Sequence, residues 1–140
     1  MLASAIVSVP GASDSFMEGY VTYSNEAKIR SIGVDMSDIR EHGAVSREVC
    51  IAMARGARRR AGTDTALSTT GIAGPSGGSE EKPVGLCYAG LDTSGGTWCR
   101  RMQLPGTREQ VRTRVVYRCL DMLRLWLSGE KGRLDRISRE

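Results

Sequence analysis

Tyr20-Val-Thr-Tyr-Ser-Asn-Glu-Ala-Lys28 passes from a β-branched and aromatic run, through a polar turn, into a helix start. Tyr20 to Tyr23 suits a strand, and Ser24 or Asn25 can cap the helix that follows. Glu26 then lies in the first turn, where the positive end of the helix dipole favours an anion. Lys28 sits in or near the same turn, where that dipole disfavours an ammonium ion and pushes toward the neutral amine. A strand that runs into a helix at a polar junction predicts an α/β fold with a candidate active-site edge at this point.

Working outward toward the N-terminus, Leu2, Ala5, Ile6 and Val9 fall at helical spacing before Pro10 and Gly11. No capping residue precedes Leu2, which reads as a helix already under way. Pro10 to Ser15 is expected to turn, and Phe16 to Tyr23 to form the strand. The helix from about Asn25 is expected to stop near Gly33. Ser37 to Gly43 reads as a linking segment that carries His42, the only histidine. Ser46 caps a strong helix whose face of Val49, Ala52, Met53, Gly56 and Ala57 ends at Gly62. Arg58, Arg59 and Arg60 fall in its last turn, where cations oppose the negative dipole end and usually face solvent.

Beyond that helix, Thr65 to Thr70 delivers the chain into Gly71-Ile-Ala-Gly-Pro-Ser-Gly-Gly78. This loop is neither a Walker loop, which needs Gly-Lys-Ser/Thr opening a helix, nor a dinucleotide fingerprint. Its unobstructed backbone N–H groups could line an anion or oxyanion site, and a plain loop fits equally well. Val84 to Gly90 and Thr97 to Leu104 read as an antiparallel hairpin turned by Ser94-Gly-Gly96. Thr107 and Gln110 form a capping box for the longest helix, with Val111, Val115, Cys119, Met122, Leu123 and Trp126 on one stripe up to Gly129. Residues 129–140 alternate charge with few apolar anchors and are expected to be a mobile tail after a single domain at 1–128.

The totals fit one soluble domain: 140 residues, 40% hydrophobic and 26% charged. The net charge of +4 and pI near 9.1 are compatible with an anionic partner. With only 5% aromatics and both charge signs interleaved, nucleic-acid binding is disfavoured. Cys50, Cys87, Cys99 and Cys119 are widely spaced without a Cys-x-x-Cys pair, so no metal site is expected. Nor is a membrane span, and a reduced, cytoplasmic protein with free buried thiols is the expectation. Judged by spacing alone, Lys28 fits either a Ser-Lys hydrolase base or a surface lysine on a short helix.

Tyr23-Ser-Asn-Glu-Ala-Lys28 with Gly33-Val34, His42-Gly-Ala-Val-Ser46, Thr70-Gly-Ile-Ala-Gly-Pro75 and Lys82-Pro-Val-Gly85 closely resemble the C-terminal domain of the competence/damage-inducible CinA family, from about residue 2 to residue 127. The resemblance implies a three-layer α/β/α unit with a mixed, mostly parallel sheet, and nicotinamide-nucleotide amidohydrolysis without a cofactor. The reaction converts nicotinamide mononucleotide to nicotinic acid mononucleotide and ammonia. By the same resemblance Lys28 is the general base and Tyr23 its hydrogen-bonding partner in proton transfer. Asn25, Thr70, Gly71 and Gly74 belong to the substrate pocket, and Arg108 meets the ligand's anionic part. The implied partner is a small-molecule nucleotide, with homo-oligomerisation left open.

Family members begin with a strand followed by Glu-Ser-Cys-Thr-Gly-Gly, whose serine is the nucleophile. This chain starts just after the place where that segment should lie, so the first family strand and the serine are expected to be missing. A catalytically inactive nucleotide-binding or interaction module is therefore the alternative expectation.

Overall fold

The computed structural model describes residues 1–138. In chain order the regular elements are α1 (Leu2–Val7), α2 (Asn25–Ile32), α3 (Met36–His42), α4 (Arg47–Ala61), β1 (Thr65–Gly71), β2 (Leu86–Thr93), β3 (Gly96–Gln103), α5 (Arg108–Leu127) and α6 (Lys131–Ile137), with one 3-10 turn at Ala12–Asp14. The fold is mixed α/β.

The helix boundaries follow their local chemistry. Ser24 Oγ accepts from Ala27 N at 3.1 Å to open α2, which closes on Gly33 in the left-handed region. Ser46 Oγ accepts from Val49 N to open α4, and Gly62 closes it. At α5 both halves of the capping box form between Thr107 and Gln110. Each cap satisfies a backbone group that the helix end would otherwise leave unpaired.

β1, β2 and β3 form a sheet in that order, and both pairings are antiparallel, with Gly71 opposite Cys87 and Thr93 opposite Gly96. The expected mostly parallel sheet is thus corrected. A parallel neighbour needs a crossover, usually helical, whereas the connection from β1 to β2 contains no helix and turns back through Gly74 and Gly85, both at positive φ. The hairpin expected across Ser94 is present, with Thr93 Oγ1 accepting from Gly95 N at 3.0 Å.

Three further expectations change. Phe16–Tyr23 is not a strand: residues 16–23 carry no regular structure, and among the described residues no strand pairs with them. β-Branched residues favour a pleated surface only where a neighbour supplies one. The expected link at 37–43 is largely helix α3, which Asp35 caps by accepting from Ser37 N at 2.9 Å and which Ile39 anchors in the core. Within the expected tail, Lys131–Ile137 forms α6, whose Leu134 is fully buried and whose Asp135 accepts from Trp98 Nε1 at 2.7 Å. Residues 139 and 140 lie outside the described residues.

Side chains alternate across a strand, and those of β2 divide accordingly. Cys87, Ala89 and Leu91 pack with Val111, Val115, Cys119 and Met122 of α5, and Leu134 of α6 joins them. Gly90 instead approaches Cys50 of α4, as does Ser68 of β1. A second cluster of Ile32, Val34, Ile39, Val49 and Met53 joins α2 and α3 to α4. Arg47 Nη1, at the start of α4, donates to the carbonyls of both Cys99 and Ser138, tying the region after α6 to β3.

Candidate functional site

Lys28 is held by the helix start that the sequence identified. It lies one turn into α2, and its side chain is only 6% exposed. Nζ donates to the carbonyl of Thr22 at 2.9 Å and, more weakly, to that of Tyr23 at 3.4 Å. Burial pushes its pKa below the ordinary lysine value, with nearby Glu26 opposing the shift. Among the described residues no carboxylate forms an ion pair with it. Desolvation favours the neutral amine, whereas the two carbonyls accept from its N–H groups and fix its position.

Tyr23 stands beside it in a different sense from the one expected. Its carbonyl reaches the amine, while its side chain is 86% exposed. The structure does not bring the phenol to Lys28. Asn25 is the first residue of α2 and is exposed.

The other expected residues gather at the end of β1. Thr70 Oγ1 donates to the carbonyl of Ala44 at 2.8 Å. Gly71 packs so closely on β2 that an added Cβ would stand 2.5 Å from Cys87 Sγ. Gly74 has φ +79° and no room for a side chain beside Val84. Arg108 Nη1 donates to the Gly74 carbonyl at 3.0 Å, so two expected pocket residues do meet. Lys28 makes no hydrogen bond to this second group; its bonds run to Thr22 and Tyr23.

Sequence reasoning missed Lys82, whose Nζ donates to the carbonyl of His42 and so joins the C-terminal end of α3 to the loop before β2. Its motif was visible, but nothing in a motif says where an amine goes. The buried grouping of Cys50, Cys119 and Ser68 was also not visible in the spacing. Cys50 Sγ lies 3.3 Å from Ser68 Oγ, and Cys119 Sγ donates to the Ser68 carbonyl at 3.5 Å. All four cysteines are free and buried. Burial pushes the Cys119 thiol up to about 12 and the Cys87 thiol up to about 11, so both stay protonated and inert near neutrality. Among the described residues there is no cluster of three side chains suited to a metal ion, and no helix is long and apolar enough to cross a membrane.

The family model for the CinA C-terminal domain matches residues 1–127. The chain belongs to the CinA C-terminal domain family. It is 51% identical over 131 residues to a CinA-like protein of Citrifermentans bemidjiense, covering 94% of this chain and 32% of that one. To a CinA-like protein of Kosmotoga olearia it is 50% identical over 124 residues, covering 89% and 30%. The chain thus spans about a third of the length of these curated relatives.

Among solved structures, the competence/damage inducible protein CihA of Agrobacterium tumefaciens is similar at 38% identity with a TM-score of 0.85, covering 87% of this chain and 75% of that one. The competence damage-inducible protein A (ComA) of Klebsiella pneumoniae is similar at 31% identity with a TM-score of 0.86, covering 91% and 79%. This CinA domain therefore shares the overall fold of these solved structures.

Proposed function

We propose that this CinA-family chain is an amidohydrolase-type domain that takes nicotinamide mononucleotide, with Lys28 as the general base. The observation that carries the reading is the buried Lys28 amine, held by the Thr22 and Tyr23 carbonyls and depressed in pKa by desolvation. Near neutral pH such an amine gives up its proton more readily than a surface lysine.

In the proposed reaction a serine hydroxyl adds to the carboxamide carbon while its proton passes to the Lys28 amine. The resulting oxyanion is held by backbone N–H groups at the end of β1. The C–N bond then breaks, ammonia leaves with a proton returned by Lys28, and water hydrolyses the acyl-serine to the carboxylate. Tyr23 serves through its carbonyl, which fixes the amine. Thr70, Gly71 and Gly74 border the ring and amide, Asn25 lies at the rim, and Arg108 meets the phosphate. Among the described residues no hydroxyl is within hydrogen-bond reach of Lys28 Nζ. The serine in this reading comes from the Glu-Ser-Cys-Thr-Gly-Gly segment of the family.

The reading includes a three-layer α/β/α arrangement, supported by the division of β2 and β1 side chains between α5 and α4. It also includes a cytoplasmic setting, supported by the four free thiols. The partner is a small nucleotide rather than nucleic acid or membrane, and self-association is compatible with it.

The test is ammonia release from nicotinamide mononucleotide by this chain and by the same chain preceded by that serine segment. Release by the extended chain, abolished by Lys28→Met, is the expected result. No release from either would sink the enzyme reading, and equal release from both would sink the serine assignment. That no hydroxyl among the described residues reaches Lys28 Nζ favours a second reading, a nucleotide-binding module without turnover. Calorimetric binding with full recovery of the intact nucleotide from both chains would establish it.

A further inference from the structure

Three successive carbonyls, from the last residue of α3 into the loop before α4, are each held by a side chain. His42 O accepts from Lys82 Nζ, Gly43 O from Ser46 Oγ at 2.9 Å, and Ala44 O from Thr70 Oγ1 at 2.8 Å. Ser46 belongs to the loop itself, so the bonds that reach outside it are those of Lys82 and Thr70. Thr70 lies on β1. Lys82 lies on the long connection to β2.

The Lys82 backbone is fixed as well, since Ser79 N donates to its carbonyl at 2.9 Å and its own N donates to Ser79 Oγ at 3.1 Å. Among the described residues no carboxylate pairs with its ammonium. The charge is therefore directed at the C-terminal carbonyl end of α3, where a cation is favoured. Gly43 has φ +74°, and a Cβ there would stand 2.8 Å from Lys82 Nζ, so the loop passes the amine at close range. On the other side of the same connection, Arg108 donates to Gly74 O.

We propose that Lys82 is a positioning residue that straps the His42–Ser46 loop against the end of β1 and so sets the width of the nucleotide pocket. It acts through the loop and through Thr70, and it touches neither Lys28 nor the carbonyls that hold Lys28. Its removal therefore weakens nucleotide binding while the chemical step at Lys28 keeps its rate and pH profile. The strap stands on this geometry alone, and the identity of the ligand rests on the amidohydrolase reading.

The experiment compares the full chain with Lys82→Met and Lys82→Arg by backbone amide hydrogen exchange and by calorimetric titration with nicotinamide mononucleotide. In Lys82→Met, exchange at Gly43, whose N donates to Ile39 O, is expected to rise about tenfold while α5 stays protected, because a hydrogen bond to a charged donor has been lost. Nucleotide binding is expected to weaken about tenfold. Lys82→Arg, which keeps a cation and donors, is expected to restore most of both.

In the active, extended chain the same change is expected to raise KM and leave kcat within about twofold. Unchanged exchange at Gly43 in Lys82→Met overturns the strap, and so does a loss of protection spread equally over α5. Looser exchange with unchanged affinity overturns its link to the pocket. If the parent chain binds no nicotinamide mononucleotide, the ligand assignment fails, and the exchange comparison alone decides the strap.

Discussion

Gly56 of α4 faces the carbonyl oxygen of Ile32 at the end of α2, so closely that a Cβ on the glycine would stand 1.8 Å from that oxygen. Glycine in a helix interior ordinarily costs about 1 kcal/mol relative to alanine. Here it is what lets the two helices touch, and the Ile32 backbone cannot swing aside as a flexible side chain could. Gly56→Ala should therefore destabilise the protein by about 1–3 kcal/mol despite its better helix propensity. The check is a lower urea midpoint at constant slope; a higher midpoint would contradict the close approach.

The Lys28 amine should leave a signature in alkaline stability. Its folded pKa lies below the unfolded value of about 10.4. Below the folded pKa both states are protonated and the folded state bears the full desolvation cost. Between the two values the unfolded chain binds more protons, so this contribution rises with pH.

The thiols of Cys87 and Cys119 act in the opposite direction. Cys87 at about 11 and Cys119 at about 12 hold their protons in the folded state, whereas unfolded cysteine ionises near about 8.5. The contribution of these two thiols therefore falls as pH rises. Comparing the parent with Lys28→Met cancels the thiol part, and the difference should move in favour of the parent as pH rises toward the unfolded lysine value of about 10.4. Urea midpoints across that range read it, and a flat difference would mean that the amine is not desolvated.

Leu134 of α6 is fully buried and packs with the β2 and α5 cluster. Leu134→Ala should lower stability by about 2–5 kcal/mol through lost contacts and the cavity left behind. A change below about 0.5 kcal/mol, typical of a surface position, would mean that α6 does not belong to the core.

Arg108 is anchored by one nitrogen to Gly74 O, which leaves other donors of its guanidinium for a ligand. Arg108→Met should weaken calorimetric binding of nicotinamide mononucleotide by about tenfold or more. Nicotinamide riboside, which lacks the phosphate, should be affected far less. An equal loss for both would remove the phosphate from the role of Arg108.

The elements that could be read from the sequence are those specified by adjacent residues. Ser24, Ser46 and Thr107 each cap a helix through an atom three positions away, and the Ser94 turn is equally local. Phe16 to Tyr23 has strand composition, but pairing depends on a distant neighbour that composition does not encode. The direction of β1 against β2 was likewise set by how the glycine loop turns. α3 was missed because a seven-residue helix buries just Ile39, and α6 because Leu134 is its single fully buried anchor. In the site, Lys28 was legible as a lysine in an awkward helix position, whereas the Lys82 contact with His42 spans 40 residues and left no local trace.

The bond from Arg47 to the Ser138 carbonyl spans 91 residues. On a ribosome adding roughly 5–20 residues per second, about 5–18 seconds pass between synthesis of its two ends. Through most of that interval Leu134 has not emerged, and the apolar surface of β2 and β3 that it later covers, including Trp98, has no lid. The nascent chain is therefore most open to chaperones and to aggregation just before α6 docks, and that short helix is the last of these elements to close the core.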